Sequence, residues 1–392
     1  MNHFQKGIIQ LINSALTGSA AEIPDGFDWE TAYKLGKQHQ IIPMLYYGIN
    51  NSRITPPEKT IERLEHGIYR SVFISQSQLF ELSNICSRFD KDGIDYMPLK
   101  GALLKFLYPK SEMRPMGDLD ILIKTDQYEK IRPIMRDLGF TEICENDHEL
   151  VWNKNDVLHI ELHKRLIPSY NKDYSAYYGD GWRLAKPADK SRFEMSDEDN
   201  FIYLFTHYAK HYRGGGIGIR HITDLYVFLS SKPEIDKNYI SKELKKLQLF
   251  DFYNNTLKTL SVWFDNAEQS KLTDFITDKI FGSGSFGTFN SKVISQAVKD
   301  SKSTSTSSRV RYKIIIRSIF KPYGEMAEKY PVLKKYPVLL PVMWVVRWVT
   351  VILFKKQNLK QQGKRIKLSS SENISSYQNE LDYVGLDFNF KE

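Results

Sequence analysis

The stretch Pro98–Ile123, PLKGALLKFLYPKSEMRPMGDLDILI, decides the fold: a Lys-Gly turn precedes a helix, and two carboxylates lie on a strand. Asp118-Leu119-Asp120-Ile121-Leu122-Ile123 follows Gly117 with apolar and β-branched residues after the charges, so it reads as a strand opening on Asp118. Side chains alternate between faces, which puts Asp118 and Asp120 on one face about 7 Å apart and sends Leu119, Ile121 and Ile123 to the core. Two carboxylates so placed can grip a divalent metal. Upstream, Lys100, Gly101 and Ala102 open a short helical segment running to Tyr108, whose free N–H groups and positive end can face a phosphate.

A third acid lies in Leu158-His159-Ile160-Glu161-Leu162-His163. Strict alternation turns Leu158, Ile160 and Leu162 inward and His159, Glu161 and His163 outward. Paired with the Asp strand, Glu161 completes a three-carboxylate cluster able to hold two Mg²⁺ or Mn²⁺ ions about 3.5–4 Å apart, the spacing that clamps both the attacking and the leaving oxygens of phosphoryl transfer. His163 shares the face of Glu161, where an imidazole could orient an acceptor, although a surface position is the commoner explanation.

The motifs Leu99-Lys100-Gly101-Ala102, Arg114-Pro115-Met116-Gly117-Asp118-Leu119-Asp120 and Ile160-Glu161-Leu162-His163 resemble the DNA polymerase β-like nucleotidyltransferase superfamily, and within it the bacterial family called uncharacterised nucleotidyltransferases. The resemblance spans roughly Phe80 to Lys367 and includes Gly218–Leu225 and Tyr336–Trp344. It implies a nucleotidyltransferase core of a small mixed sheet covered by helices, and with the helical patterns read on either side the expected fold is α+β, with a helical N-terminal segment and an all-helical C-terminal region. It also implies transfer of an NMP from an NTP to an acceptor hydroxyl or phosphate with release of pyrophosphate. Asp118, Asp120 and Glu161 would be the catalytic and metal-binding acids, Lys100, Gly101 and Ala102 would cradle phosphate, and Arg114, matching the family's arginine, would stabilise the transferring charge or brace the acidic cluster, bracing being slightly favoured. Where the wider superfamily carries Gly-Gly or Gly-Ser, this chain has Gly101-Ala102, which removes a hydroxyl that could touch phosphate.

The 392 residues, 41% hydrophobic and 26% charged, suit a globular chain of more than one domain. Cys86 and Cys144 are too few for a disulfide framework or a thiolate zinc site, and Met1–Lys6 lacks a secretory apolar run, so a cytoplasmic location is expected, with a peripheral membrane contact as the variant. Charge is uneven. Arg309 to Lys367 holds fifteen Lys and Arg against Glu325 and Glu328, a net of +13, so the rest of a chain of formal charge +8 carries −5. An acidic half suits metal, and a basic C-terminal region suits an anionic partner or simply a solvated surface.

Helical periodicity marks Phe4 to Leu16, Thr31 to Ile49 and Ile61 to Asp90, where His39 and His66 read as packing or surface groups. After the Asp strand come a helix over Gln127 to Leu138, a strand over Phe140 to Cys144, and a hairpin of Glu149 to Asn153 and Val157 to His163. Pro168 to Lys190 reads as a loop near the active face, and Asp197 to Ile280 as helical. There His207 and His211 stand four apart without the glutamate of a zinc-protease motif, so no metal is assigned to them. Arg220 and Asp224, also four apart, either pair with each other or leave Arg220 for a triphosphate. Phe281–Gly287 and Ser301–Ser308 have linker composition. The expected segments are 1–79 helical, 80–195 core, 196–368 helical and 369–392 a flexible tail.

Pro337 to Phe354 is the most apolar run, yet it contains Pro341 and Arg347 and is too short for the roughly 20 residues of a spanning helix. A buried helix is the expectation, an interfacial membrane helix the competitor. For function, the expectation is metal-dependent nucleotidyl transfer with NTP as co-substrate. The acceptor is open among tRNA or another RNA end, a protein, an aminoglycoside-like small molecule and a polymer precursor. The rival is a catalytically degenerate nucleotide- or polyanion-binding module.

Overall fold

Leu119, Ile121 and Ile123 are fully buried, and so are Leu158, Ile160 and Leu162, because the two strands carrying them turn those residues into the same core. The computed structural model describes residues 1–285, 287–302, 316, 319–354, 364 and 367–386. It divides into two compact units. The described residues of the first are 1–211, 217–285 and 384–386; those of the second are 212–216 and the described part of 287–383.

The first unit opens with helices α1 (His3–Thr17), α2 (Trp29–His39), α3 (Ile42–Ser52) and the 35-residue α4 (Glu58–Asp92). The single helix expected over Thr31 to Ile49 is two, because Gln40 adopts a left-handed conformation (φ 58°) and ends α2. The boundary expected at residues 79 and 80 falls inside α4. Then come β1 (Tyr96–Pro98), the single turn α5 (Gly101–Leu104), β2 (Leu119–Ile123), α6 (Tyr128–Asp137), β3 (Thr141–Glu145), β4 (Glu149–Asn155) and β5 (Leu158–His163). The order helix, strand, helix, Asp strand, helix, strand, hairpin is the one read from the sequence.

The described strands form one mixed seven-stranded sheet in the order β3-β4-β5-β2-β1-β7-β6. Helix α7 (Lys172–Tyr178) and strand β6 (Lys186–Asp189) correct the expectation of a loop over Pro168 to Lys190, and β7 (Arg192–Glu194) follows just beyond it. These strands are short and polar, so they carry no apolar alternation, and β7 is fixed by pairing with β1. On one sheet face Leu82, Ile85 and Phe89 of α4 and Ile131, Ile134 and Met135 of α6 pack on the inward side chains of β2, β4 and β5. Each such aliphatic side chain contributes roughly 1.5–3 kcal/mol by leaving water. The other face of β2 and β5 is left for chemistry.

Helices α8 (Asp197–Arg213), α9 (Ile219–Ser231), α10 (Lys237–Lys246), α11 (Phe250–Phe264) and α12 (Lys271–Ser283) follow. His39 is wholly buried as packing: Ile219 N–H donates to its Nδ1 at 3.1 Å, so its Nε2–H is free to donate to Phe281 O at 3.1 Å.

In the second unit Met326, Ala327 and Leu333 form a small core with Leu340, Met343 and Trp344 against it. Helix Leu340–Phe354 corrects the expectation of a core helix: among its described side chains Val342, Val345, Val346 and Val349 are exposed, while Trp344 Nε1–H donates to Lys321 O at 2.9 Å. No helix among the described residues is long and apolar enough to cross a membrane. The polar tail is also corrected. Ser371–Val384 forms a helix that buries Ile374, Tyr377, Leu381 and Val384, an amphipathic spacing hidden by its low mean hydropathy. The Ser303–Ser308 part of the second linker and much of the basic stretch from Arg309 to Lys367 lie outside the described residues.

Candidate active site

Strands β2 and β5 pair in parallel with Asp120 opposite Glu161 and Leu122 opposite His163. Because both strands present alternate residues to one face, Asp120, Glu161 and His163 converge, and a ligand atom from each lies within 4.8 Å of the others. Asp118 stands one residue before β2, exposed at the entrance. These residues line a cavity of about 280 Å³ together with Lys100, Glu149, His148 and the α8 and α9 side chains His207, His211, Arg220 and His221.

Asp120 is the hub. Lys100 Nζ donates to its Oδ1 at 2.9 Å, and His163 Nε2 lies 2.7 Å from the same oxygen. Burial alone would raise the Asp120 carboxyl, but the Lys100 charge and the His163 hydrogen bond outweigh it and hold the group well below the usual carboxylate range. The Lys100 ammonium is held above its ordinary value in the same way, burial being outweighed by the charge of Asp120. Lys100 sits at φ 41°, ψ −111°, a conformation that costs a non-glycine residue about 1–3 kcal/mol and persists where the surroundings fix it. Here Leu99 N–H donates to Asp120 O at 2.9 Å and fixes the turn.

Glu161 differs. Partial burial and the charges of Asp120 and Asp118 push its carboxyl up to about 8. The acid wall is therefore short of positive charge. His163 is not the surface imidazole expected: it is 1% exposed, and burial keeps it neutral despite the Asp120 hydrogen bond.

The phosphate-cradle expectation meets a tighter geometry. The helix expected to reach Tyr108 is one α-turn followed by a 3₁₀ turn, Lys105–Leu107, and Ala102 N–H and Leu103 N–H donate to Leu99 O and Lys100 O. Gly101 and Ala102 are buried, and a Cβ on Gly101 would collide with the Arg114 guanidinium and Met116 Sδ. Gly101 is thus required by packing behind the strand. Arg114 is engaged in structural contacts. Its Nε and Nη2 grip Asp224 at 3.2 and 3.1 Å, and Tyr108 Oη donates to the same carboxylate at 2.7 Å.

Asp224 is therefore taken, and the Arg220–Asp224 hydrogen-bonded pair does not form. Arg220 instead donates to Pro115 O and approaches His221 Nε2 at 3.2 Å, while its buried Nε has no hydrogen-bond partner. Burial and the neighbouring Arg114 charge press its pKa down to about 10, so this cation lacks a full counter-charge. His207 and His211, left without chemistry from their spacing, face the same cavity, their ring centroids 4.4 Å apart.

His148 and Glu149 are the site residues that the sequence reading passed over. The hairpin register pairs Glu149 with His163, and counting back from the turn at Lys154-Asn155-Asp156 carries that signal. The α8 and α9 histidines have no such local signal, since the helix positions that face the sheet depend on tertiary packing.

No curated protein matches the chain. Among solved structures, the antibiotic-resistance factor ANT(2'')-Ia is 13% identical and aligns over 49% of this chain and 100% of its own at a TM-score of 0.32, a likeness too slight to build on. The family model described as "Uncharacterised nucleotidyltransferase" matches residues 25–265, more than half of the sequence, and the chain belongs to that family.

Proposed function

We propose that this nucleotidyltransferase moves a nucleoside monophosphate from an NTP to an acceptor hydroxyl or phosphate, releasing pyrophosphate, with Mg²⁺ or Mn²⁺ held by Asp118, Asp120 and Glu161. The observation that carries the reading is the side-by-side placement of Asp120 and Glu161 on paired strands, facing a cavity whose opposite side holds a cation without its full counter-charge. The donor set fits hard divalent ions. It is all oxygen, and Glu161, which burial and the neighbouring carboxylates push up to about 8, is a carboxyl that a bound cation would return toward its ordinary range. When bound, such ions supply Lewis acidity at the transferring phosphorus and neutralise the leaving pyrophosphate.

The protein's own groups do the rest. Glu161, ionised once a cation sits beside it, takes the acceptor proton. Lys100 and Arg220 add positive charge for the triphosphate, and Arg220 offers a buried, unpartnered Nε–H. Arg114 acts indirectly, holding α9 to the turn before β2 through Asp224.

The test incubates purified protein with each α-labelled NTP, Mg²⁺ or Mn²⁺, and a lysate fractionated into RNA, protein and small molecules. Label in one fraction names the acceptor class. No transfer to any fraction, or equal transfer by the Asp120→Asn protein, would sink the reading.

A further inference from the structure

His163 has two ring nitrogens, and the catalytic reading uses one. Its Nε2 lies 2.7 Å from Asp120 Oδ1, an oxygen that already accepts from Lys100 Nζ, so Nε2 carries the proton and Nδ1 is left as an unprotonated lone pair. That lone pair points away from the acid cluster, toward His148 Nε2 at 3.1 Å. Glu149 Oε2 lies 3.6 Å from His148 Nε2 and 3.8 Å from His163 Nδ1. The other His148 nitrogen, Nδ1, is buried with no hydrogen-bond partner.

We infer that His148, Glu149 and His163 form a second metal site, for a single imidazole-seeking divalent ion of the Zn²⁺, Co²⁺ or Fe²⁺ class, separate from the oxygen-donor centre at Asp118, Asp120 and Glu161. Three features support it. First, metal–nitrogen bonds of about 2.0–2.1 Å at tetrahedral or octahedral angles place two ligand nitrogens about 3–3.4 Å apart, which is the separation of the two imidazoles. A small rotation of Glu149 brings its Oε2 in as the third donor. Second, Asp120 and His163, with the unprotonated Nδ1 on the far edge of the ring, make a carboxylate–histidine arrangement of the kind that fixes a ligand's tautomer and raises its basicity.

Third, the backbone holds the donors in place. Asn146 Oδ1 accepts from His148 N–H at 2.8 Å and Glu149 N–H at 3.0 Å, and Lys164 N–H donates to His148 O at 2.7 Å. His148 and Glu149 both open on the cavity, so an ion can enter and keep open positions for water or substrate. Two nitrogens and one carboxylate favour borderline transition ions over Mg²⁺, which prefers an all-oxygen shell. The inference does not depend on nucleotidyl transfer, since it concerns the opposite edge of the His163 ring.

Co²⁺ titration of the full chain, followed by visible absorption and by metal content after desalting, tests the site. The expected result is one equivalent of Co²⁺ with a nitrogen-ligated spectrum, displaced by Zn²⁺ and retained in excess Mg²⁺. His148→Ala should abolish it, Glu149→Gln should weaken it at least tenfold, and Glu161→Gln should leave it in place. Asp120→Asn, which removes the charge behind His163, should weaken it about 10–100-fold. Circular dichroism establishes that each variant folds, and if His148→Ala does not, Glu149→Gln decides. Unchanged Co²⁺ binding in folded His148→Ala or Glu149→Gln protein, displacement by Mg²⁺ at equal concentration, or loss of the spectrum in Glu161→Gln would overturn the second site.

Discussion

The two walls of the cavity are opposite in chemistry and alike in their predicament. On the strand wall, burial and mutual repulsion push the Glu161 carboxyl up to about 8. On the helical wall, burial and neighbouring cations press Arg220 down to about 10 and hold the His207 and His221 imidazoles well below their usual range. Each wall is short of the charge that the other kind of group would bring. A ligand that brings positive charge to one wall and negative charge to the other relieves both, and a metal–triphosphate complex is such a ligand.

The comparison breaks most visibly if the acid wall is silenced. Asp120→Asn and Glu161→Gln should each lower label transfer by at least about 100-fold, since general-base and charge-stabilising groups are worth roughly 10²–10⁴-fold, while melting curves show an intact fold. Retained transfer in either would mean the strand wall is structural. Next in size, Arg220→Gln should weaken NTP binding by calorimetry roughly ten- to a hundredfold, the worth of one or two charge-assisted hydrogen bonds. An unchanged Kd would assign Arg220 to bracing alone.

The two walls should also leave opposite signatures in pH. Glu161 is raised in the fold above its unfolded value of 4.5, so its contribution to stability is complete below that pH and is lost as pH rises toward about 8. Metal-free protein should therefore melt at progressively lower temperature from pH 5 to pH 8. Glu161→Gln should flatten that slope, and added Mn²⁺ should restore the alkaline melting point. His207 has the reverse sign. Its folded value lies below the unfolded 6.5, chiefly through burial and then the Lys100 charge, so its contribution is present above pH 6.5 and lost as pH falls. A smaller acid-side decline is expected, and His207→Asn should reduce it; an unchanged decline would place the acid sensitivity elsewhere, with buried His39 as the next group to replace.

The strand wall was readable in the sequence because its information is local. Alternation over six residues puts Glu161 on the face opposite Leu158, Ile160 and Leu162, and the same rule separates Asp120 from Leu119 and Ile121. The helical wall was not readable, since His207 and His211 show the same i, i+4 spacing whether they face solvent or a sheet. Arg220 and Asp224 were left open for a related reason: local spacing offered a partner, but Arg114, 110 residues away in sequence, holds that carboxylate. Helix Leu340–Phe354 misled through composition, because apolar residues all around read as burial while four valines face outward. Val345→Lys gives the smallest expected effect, within about 0.5 kcal/mol of wild type in a urea melt. A loss of several kcal/mol would return that helix to a core.

The ammonium of Lys100, resting 2.9 Å from Asp120, has a consequence for ion choice. It is a built-in monovalent occupant of the acid wall. A sodium or potassium ion arriving there would exchange one unit charge for another and lose its hydration shell, gaining nothing by Coulomb's law. A doubly charged ion brings a surplus unit that Asp118, Asp120 and Glu161 share. If Asp118, Asp120 and Glu161 hold metal as proposed, the lysine would act as a valence filter, favouring dications over the monovalent ions of a salt-rich solution.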